Sequence, residues 1–124
     1  MATAIPETYR SITYDKPGEL SLKLEDQKTP EPGPGEVLIQ LTHSGVCHSD
    51  LSVMLNGWSF LPAPTPAGQV GGHEGVGKIV KLGAGAEANC KIGDRVGVKW
   101  LSSACGGCRK LVVIFCYCFT LTVQ

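Results

Sequence analysis

The stretch GGHEGVGKIVKLGAG at residues 71–85 decides how the fold of this sequence is interpreted, because a glycine-rich loop runs directly into a strand-like segment. His73 and Glu74 lie inside the loop, and Val76–Leu82 follows it with the composition of a short β-strand. Glycines around the two polar residues would let the backbone turn sharply and approach a metal or cofactor closely. The stretch therefore predicts a strand that carries candidate ligands at its amino end.

A second cluster, GVCHSD at Gly45–Asp50, supplies the donor that the first one lacks. A catalytic zinc ion takes thiolate and imidazole donors and keeps one position open, and Cys47 and His73 are donors of these types. Asp50 is a candidate to hold the imidazole of His73 in one tautomer. Each cluster alone is weak evidence, since a single Cys is usually a small core residue and a single His is usually satisfied by hydrogen bonds.

Short strands separated by glycine and proline turns are predicted on both sides of these clusters. A helix is predicted with Ser49 or Asp50 as N-cap and Gly57 as its stop. Many short strands at close intervals are typical of a small barrel or sandwich. The predicted strands are Ser11–Tyr14, Leu20–Leu24, Val37–Leu41, Val76–Leu82 and Arg95–Trp100.

Length and charge limit the function classes. With 124 residues the chain suffices for one domain with a core but is short for a two-domain dinucleotide enzyme. Its 11 basic and 11 acidic residues cancel, which argues against a nucleic-acid or membrane partner and favours a small neutral one. No export signal precedes Ser11, so we expect a cytoplasmic protein. Six cysteines fit a disulfide framework or a metal site, and a reducing compartment favours metal.

Several motifs resemble the zinc-dependent medium-chain alcohol dehydrogenase family over about Glu7 to Cys108. Gly72-His73-Glu74, followed by Gly77, Gly83 and Ala86, matches the zinc signature of that family. The segment Gly45–Asp50 resembles its first ligand segment, and Gly93-Asp94-Arg95-Val96 resembles an element that follows its barrel. The resemblance implies a mainly β fold, a GroES-like partly open β-barrel with one or two short helices.

The resemblance also implies roles for individual residues. Cys47 and His73 would ligate the catalytic zinc, with Glu74 as an occasional replacement ligand. Ser49 would take the proton of the alcohol, His48 would face the pyrophosphate of NAD, and Trp58 would narrow the pocket towards small primary alcohols. The implied reaction is oxidation of a primary alcohol to an aldehyde with NAD, with zinc as Lewis acid. Whether the full-length members form homo-oligomers stays open.

Three departures from the family pattern affect what this chain would do. The third catalytic ligand of the family is a Cys downstream of the barrel, and the chain ends before that position. Ser52 stands where many microbial members have a His that completes a proton relay. Cys105 and Cys108 begin the four-thiolate structural zinc lobe of the family, but Leu111 and Phe119 occupy its third and fourth places. An improvised site completed by Cys116 and Cys118, or four free thiols, are the alternatives.

The segment Leu111–Gln124 differs from the rest of the chain, because all charged residues, all 16 glycines and all 8 prolines lie at or before Lys110. We therefore expect a family domain over residues 1–110 and an apolar tail outside the family pattern over residues 111–124. A buried or edge strand is one interpretation of the tail, and translated non-coding sequence is the other. The run is too short to span a membrane, which takes about 20 apolar residues.

Together these observations predict the amino-terminal zinc-binding domain of an alcohol dehydrogenase, inactive by itself. No G-x-G-x-x-G in a strand-to-helix context occurs, so we expect the chain alone not to bind NAD. The alternative is a free-standing GroES-like binding module without catalysis. That module would have no use for Cys47, His73 and Glu74 in register.

Overall fold

The computed structural model describes residues 4–60, 63–88 and 90–98, and within them the chain is mainly β. Five strands form two antiparallel sheets, one with the order β1-β2 and one with the order β3-β4-β5. The sheets do not join into a closed barrel within the described residues, which agrees with the partly open barrel expected from the sequence. The strands are β1 (Thr8–Tyr14), β2 (Leu22–Lys28), β3 (Val37–Ser44), β4 (Gly75–Leu82) and β5 (Arg95–Val98), with helix α1 (His48–Met54) and a 3-10 turn (Ala86–Ala88).

The hairpin of β1 and β2 pairs residue for residue, from Thr8 opposite Lys28 to Tyr14 opposite Leu22. The observed strand β2 begins two residues later than the predicted strand Leu20–Leu24 and continues to Lys28. It is longer because pairing with β1 keeps the polar residues after Leu24 in the ladder. The alternation predicts the strand correctly, yet Leu22 and Leu24 are on the exposed side. Ser11 and Thr13 lie on the buried side instead.

The sheet of β3, β4 and β5 holds the deepest apolar side chains. Ile79 of β4 is 2% exposed, and Leu38 and Leu41 of β3 are almost as buried. Two glycines of the predicted zinc signature allow close contact between backbone segments at and just after β4. A Cβ on Gly77 would overlap the carbonyl oxygen of Gln40 in β3, and a Cβ on Gly83 would overlap that of Gly33. These glycines are needed because the backbones pack directly against each other.

Helix α1 begins at His48 with Cys47 as its N-cap, so the predicted N-cap at Ser49 or Asp50 is wrong by two or three residues. The Cys47 sulfur accepts a hydrogen bond from the Ser49 amide at 3.4 Å, and an Asp50 carboxylate oxygen accepts one from the Cys47 amide at 2.8 Å. This reciprocal pair is a capping box in which a thiol replaces the usual hydroxyl.

The carboxyl end of α1 follows the Schellman pattern, with a C-cap at Leu55. Asn56 has a φ of 54° and so takes the left-handed conformation. The Gly57 amide donates to the Ser52 carbonyl at 2.8 Å, and the Asn56 amide donates to the Val53 carbonyl at 3.2 Å. The predicted stop at Gly57 thus takes part in the cap, but Asn56 supplies the left-handed turn.

Candidate metal centre

Cys47 is held at the start of α1 by the capping box described above. The Asp50 carboxylate fixes the Cys47 amide, and the thiol is half-buried. Because the Ser49 amide also points at the sulfur, the thiol receives hydrogen-bond donation from the first turn. The first turn of α1 thus positions one candidate ligand through local hydrogen bonds.

His73 reaches the same place from the loop that precedes β4. Gly72 before it has a φ of 100°, a conformation that side chains rarely adopt, and this turn directs His73 towards α1. Its Nδ1 lies 3.0 Å from Asp50 Oδ1, and its Nε2 lies 3.4 Å from Cys47 Sγ. The imidazole is 18% exposed, so it is mostly withdrawn from solvent.

Cys47, Asp50 and His73 form a group whose ligand atoms all lie within 4.8 Å of one another. Both oxygens of Asp50 already have partners, one at His73 Nδ1 and the other at the Cys47 amide. That arrangement is typical of a carboxylate that orients an imidazole, whose other nitrogen then faces the ion. A thiol and an imidazole that converge in this way fit a zinc-type ion.

Glu74 lies at the edge of this group, with Oε1 3.6 Å from His73 Nε2 and a side chain that is 47% exposed. Its carboxylate occupies the space beside Gly45, where a Cβ would overlap Glu74 Oε2. The Glu74 carbonyl accepts hydrogen bonds from the Gly45 amide and the Ser44 hydroxyl. The structure thus brings Glu74 next to the candidate ligands, and its role as a replacement ligand stays a prediction.

Ser49 and His48 occupy the first turn of α1, immediately after Cys47. The imidazole of His48 is exposed, and its Nδ1 lies 3.3 Å from the hydroxyl of Ser52, one turn further along. Ser52 is buried and also donates to the His48 carbonyl at 3.2 Å. Ser52, which departs from the family pattern at this position, therefore contacts His48, the histidine predicted to face the cofactor.

The remaining predicted site residues are less connected to this group. Trp58 stacks on Phe60 with ring centroids 5.2 Å apart, and its place in a substrate pocket stays a prediction. His43 contacts the Thr42 hydroxyl, Cys90 donates to the Ala86 carbonyl at 3.3 Å, and neither belongs to the group of Cys47, Asp50 and His73. Cys105 and Cys108, with Cys116, Cys118 and the whole tail, lie outside the described residues.

Tyr14 contacts the site and was missed by the sequence analysis. It is 4% exposed, and its hydroxyl donates to the Asp50 carbonyl at 3.3 Å. Burial raises the pKa of the Tyr14 phenol, the Asp50 charge raises it further, and the Gly72 amide at the hydroxyl lowers it. No local sequence pattern predicts that Tyr14 contacts the site, because its contacts join β1 to segments more than 30 residues away.

The fold is mainly β, and it brings a thiol, an imidazole and a carboxylate within reach of one ion. These two features are typical of a metal-binding β domain. The family profile of the alcohol dehydrogenase GroES-like domain matches residues 33–120. The chain belongs to this family, as its motifs predicted.

Relatives and solved structures agree with this assignment. Alcohol dehydrogenase 2 of Emericella nidulans is 65% identical over 108 residues, which are 86% of this chain and 29% of that protein. An alcohol dehydrogenase of Schizosaccharomyces pombe is 50% identical over 99 residues, or 80% of this chain and 27% of that protein. The chain thus spans less than a third of the curated relatives it matches.

Two solved structures share the fold. Acetophenone reductase from Geotrichum candidum, in complex with NAD, matches with a TM-score of 0.68 and 36% identity, covering 86% of this chain and 30% of that one. A thermostable alcohol dehydrogenase from Pyrobaculum aerophilum with cobalt and zinc bound also has a TM-score of 0.68, at 33% identity, covering 82% of this chain and 29% of that one. In the described ranges of the present chain, no helix is long and apolar enough to cross a membrane.

Proposed function

We propose that this chain is the amino-terminal zinc-binding domain of an alcohol dehydrogenase that oxidises primary alcohols to aldehydes with NAD. The observation that carries the proposal is the convergence of Cys47 Sγ and His73 Nε2, 3.4 Å apart, with Asp50 holding the other nitrogen of the imidazole. Family membership and the zinc in the Pyrobaculum aerophilum relative support zinc as the ion.

In this proposal Cys47 and His73 hold the zinc, and Asp50 keeps the proton of His73 on Nδ1 so that Nε2 faces the ion. Glu74 is a replacement ligand, for which its exposure and its distance of 3.6 Å from His73 Nε2 leave room. When bound, zinc supplies Lewis-acid polarisation of the substrate oxygen. The binding-module alternative gives no reason for this convergence of donors.

Ser49 is proposed to take the proton of the alcohol, His48 to face the cofactor pyrophosphate, and Trp58 to narrow the pocket. Ser52 contributes by holding His48 Nδ1. The sequence has no G-x-G-x-x-G in a strand-to-helix context, so we propose that NAD binding and turnover need polypeptide other than this chain. The chain alone is then inactive.

The same proposal includes the substrate, the cellular location and the oligomeric state. A small alcohol or aldehyde is the substrate, the location is the cytoplasm, and the full-length family leaves room for a homo-oligomer. The partial structural zinc lobe at Cys105 and Cys108 and the boundary at Lys110 stay predictions. The family match includes residues 111–120, so it does not by itself mark an end of the domain at Lys110.

Metal binding by the purified chain tests the proposal. We expect binding of one Zn²⁺ or Co²⁺ in competition with a chelator, with a thiolate-to-cobalt absorption band, and much weaker than the roughly 10 to 16 kcal/mol of complete structural zinc sites. The double variant Cys47→Ala with His73→Ala should lose the binding and the band.

The matched control removes the same two side-chain types elsewhere, as Cys90→Ala with His43→Ala. This control should bind like the unmodified chain, because neither residue belongs to the candidate ligand group. Tight binding that survives the first double variant would contradict the proposed centre and direct attention to Cys105, Cys108, Cys116 and Cys118.

A further inference from the structure

The end of strand β1 is tied to the segment that leads into His73. The Tyr14 amide donates to the Gln69 carbonyl at 2.9 Å, and the Gly68 amide donates to the Tyr14 carbonyl at the same distance. Thr13 forms an isolated antiparallel bridge with Val70. The backbone before His73 is therefore fixed to β1.

The side chain of Tyr14 extends this connection to helix α1. Its hydroxyl donates to the main-chain carbonyl of Asp50 at 3.3 Å and lies beside the segment that precedes His73, since a Cβ on Gly71 would be 3.1 Å from this oxygen. This one hydroxyl thus lies between the first turn of α1 and the main chain just before His73. Hydrogen bonds that are withdrawn from water hold such a geometry more firmly than exposed ones.

The ring of Tyr14 fills the space beside Gly71. A Cβ on Gly71 would lie 3.0 Å from Tyr14 Cε1 and 3.1 Å from Cζ, which is closer than ordinary contact. On the other side of His73, the Glu74 carbonyl is held by the Gly45 amide at 3.3 Å. His73 therefore lies between two main-chain anchors, one made by Tyr14 and one made by the residue after β3.

We propose that Tyr14 is a positioning residue for the candidate metal centre, whose hydroxyl sets the separation between Cys47 and His73 by linking the Asp50 carbonyl to the main chain just before His73. The proposal rests on the metal-binding function above. Tyr14 has no ligand role in it, since the effect passes through the main chain of Asp50 and of the residues just before His73.

The variant Tyr14→Phe keeps the ring against Gly71 and removes the bridging oxygen. We expect about tenfold weaker Co²⁺ and Zn²⁺ binding, the lower end of the loss seen when groups that orient metal ligands are removed. The matched control is Tyr9→Phe, which removes the hydroxyl of another buried tyrosine on the same strand. Its affinity should stay unchanged.

A metal-free measurement separates this proposal from the proposed function. In the unmodified chain, the His73 Nδ1 proton should give a slowly exchanging NMR signal, because it lies 3.0 Å from the Asp50 carboxylate. The signal should be lost or broadened in Tyr14→Phe and retained in Tyr9→Phe, while amide protection in β3 and β4 is the same in both.

The outcomes are distinct. Absence of metal binding by the unmodified chain would overturn the proposed function, and the His73 signal would still decide the role of Tyr14. Retention of both the affinity and the signal in Tyr14→Phe would overturn the positioning role. Equal losses in Tyr9→Phe would also overturn it, since they would show a general effect of removing a buried hydroxyl.

Discussion

The sheet of β3, β4 and β5 and the hairpin of β1 and β2 differ in what fixes them. At Gly77 in β4 and at Gly83 directly after it there is no room for a Cβ, because a carbonyl oxygen occupies the place where it would be. In the hairpin, Ile12 and Leu24 face each other across the strands and are more than half exposed. Close backbone packing therefore specifies the sheet next to the candidate metal centre, whereas the outer face of the hairpin has space around its side chains.

The buried face of the hairpin sharpens this contrast. Thr13 is 1% exposed, and its hydroxyl donates to Glu25 Oε2 at 3.0 Å. The face turned towards the interior thus carries Ser11 and Thr13 beside the core residue Tyr9, and the face turned outward carries leucine and isoleucine. Hydrophobic alternation is a sound guide to the strand but a poor guide to its orientation in this hairpin.

Gly77→Ala should have the largest effect, since the new methyl group would overlap the Gln40 carbonyl and approach Ile39 within the β3–β4 ladder. We expect a loss of about 3 kcal/mol in the free energy of unfolding, at the upper end of typical overpacking. Denaturant titration measures it. Gly97→Ala in β5 is the control, because its nearest atom would be the Gly75 carbonyl oxygen at 3.9 Å, an ordinary contact. Equal effects at both glycines would contradict the steric explanation.

Asn56 lies just after the end of α1, next to the turn of the hairpin, and its substitution should have an intermediate effect. The hairpin turn contacts the end of α1 through the Gly18 amide and the Met54 carbonyl, 2.8 Å apart. Asn56→Ala should cost about 1 to 2 kcal/mol, because alanine is disfavoured at a φ of 54°. Thermal or denaturant unfolding measures the loss.

Asn56→Gly separates the two contributions at this residue. Glycine accepts the left-handed backbone but loses the side-chain oxygen, which accepts the Thr65 amide at 2.8 Å. We expect a smaller loss than for alanine. A glycine variant that is as unstable as the alanine variant would show that the lost hydrogen bond, and not the backbone conformation, accounts for the loss of stability.

Local patterns predicted the existence of the elements better than their ends. Strand β4 differs from its prediction by one residue, because glycine-flanked alternation is visible in the sequence. The N-cap of α1 was misplaced because cysteine is not among the usual capping residues, whereas Ser49 is of the preferred type. The Asp50 side chain, which completes the capping box, decides in favour of Cys47.

The candidate centre was predicted by a different route. Spacing alone does not bring Cys47 to His73, 26 positions away, and the resemblance to a family supplied that pairing. Tyr14 escaped both routes. Its contacts with Asp50 and Gly71 depend on the packing of β1 against two distant segments, for which neither a periodic pattern nor a motif exists in the sequence.

Leu24→Ala should have the smallest effect and tests the exposed side of the comparison. Leu24 is 60% exposed, so truncation removes little buried surface, and we expect a change within about 0.5 kcal/mol. Leu38→Ala is the matched control, since Leu38 is 4% exposed and its truncation should cost about 2 to 5 kcal/mol. Denaturant titration of both variants gives the comparison directly. A loss at Leu24 similar to that at Leu38 would mean that the outer face of the hairpin is covered in solution. The hairpin would then be packed on both faces, and the contrast with the three-stranded sheet would lie only in its glycines.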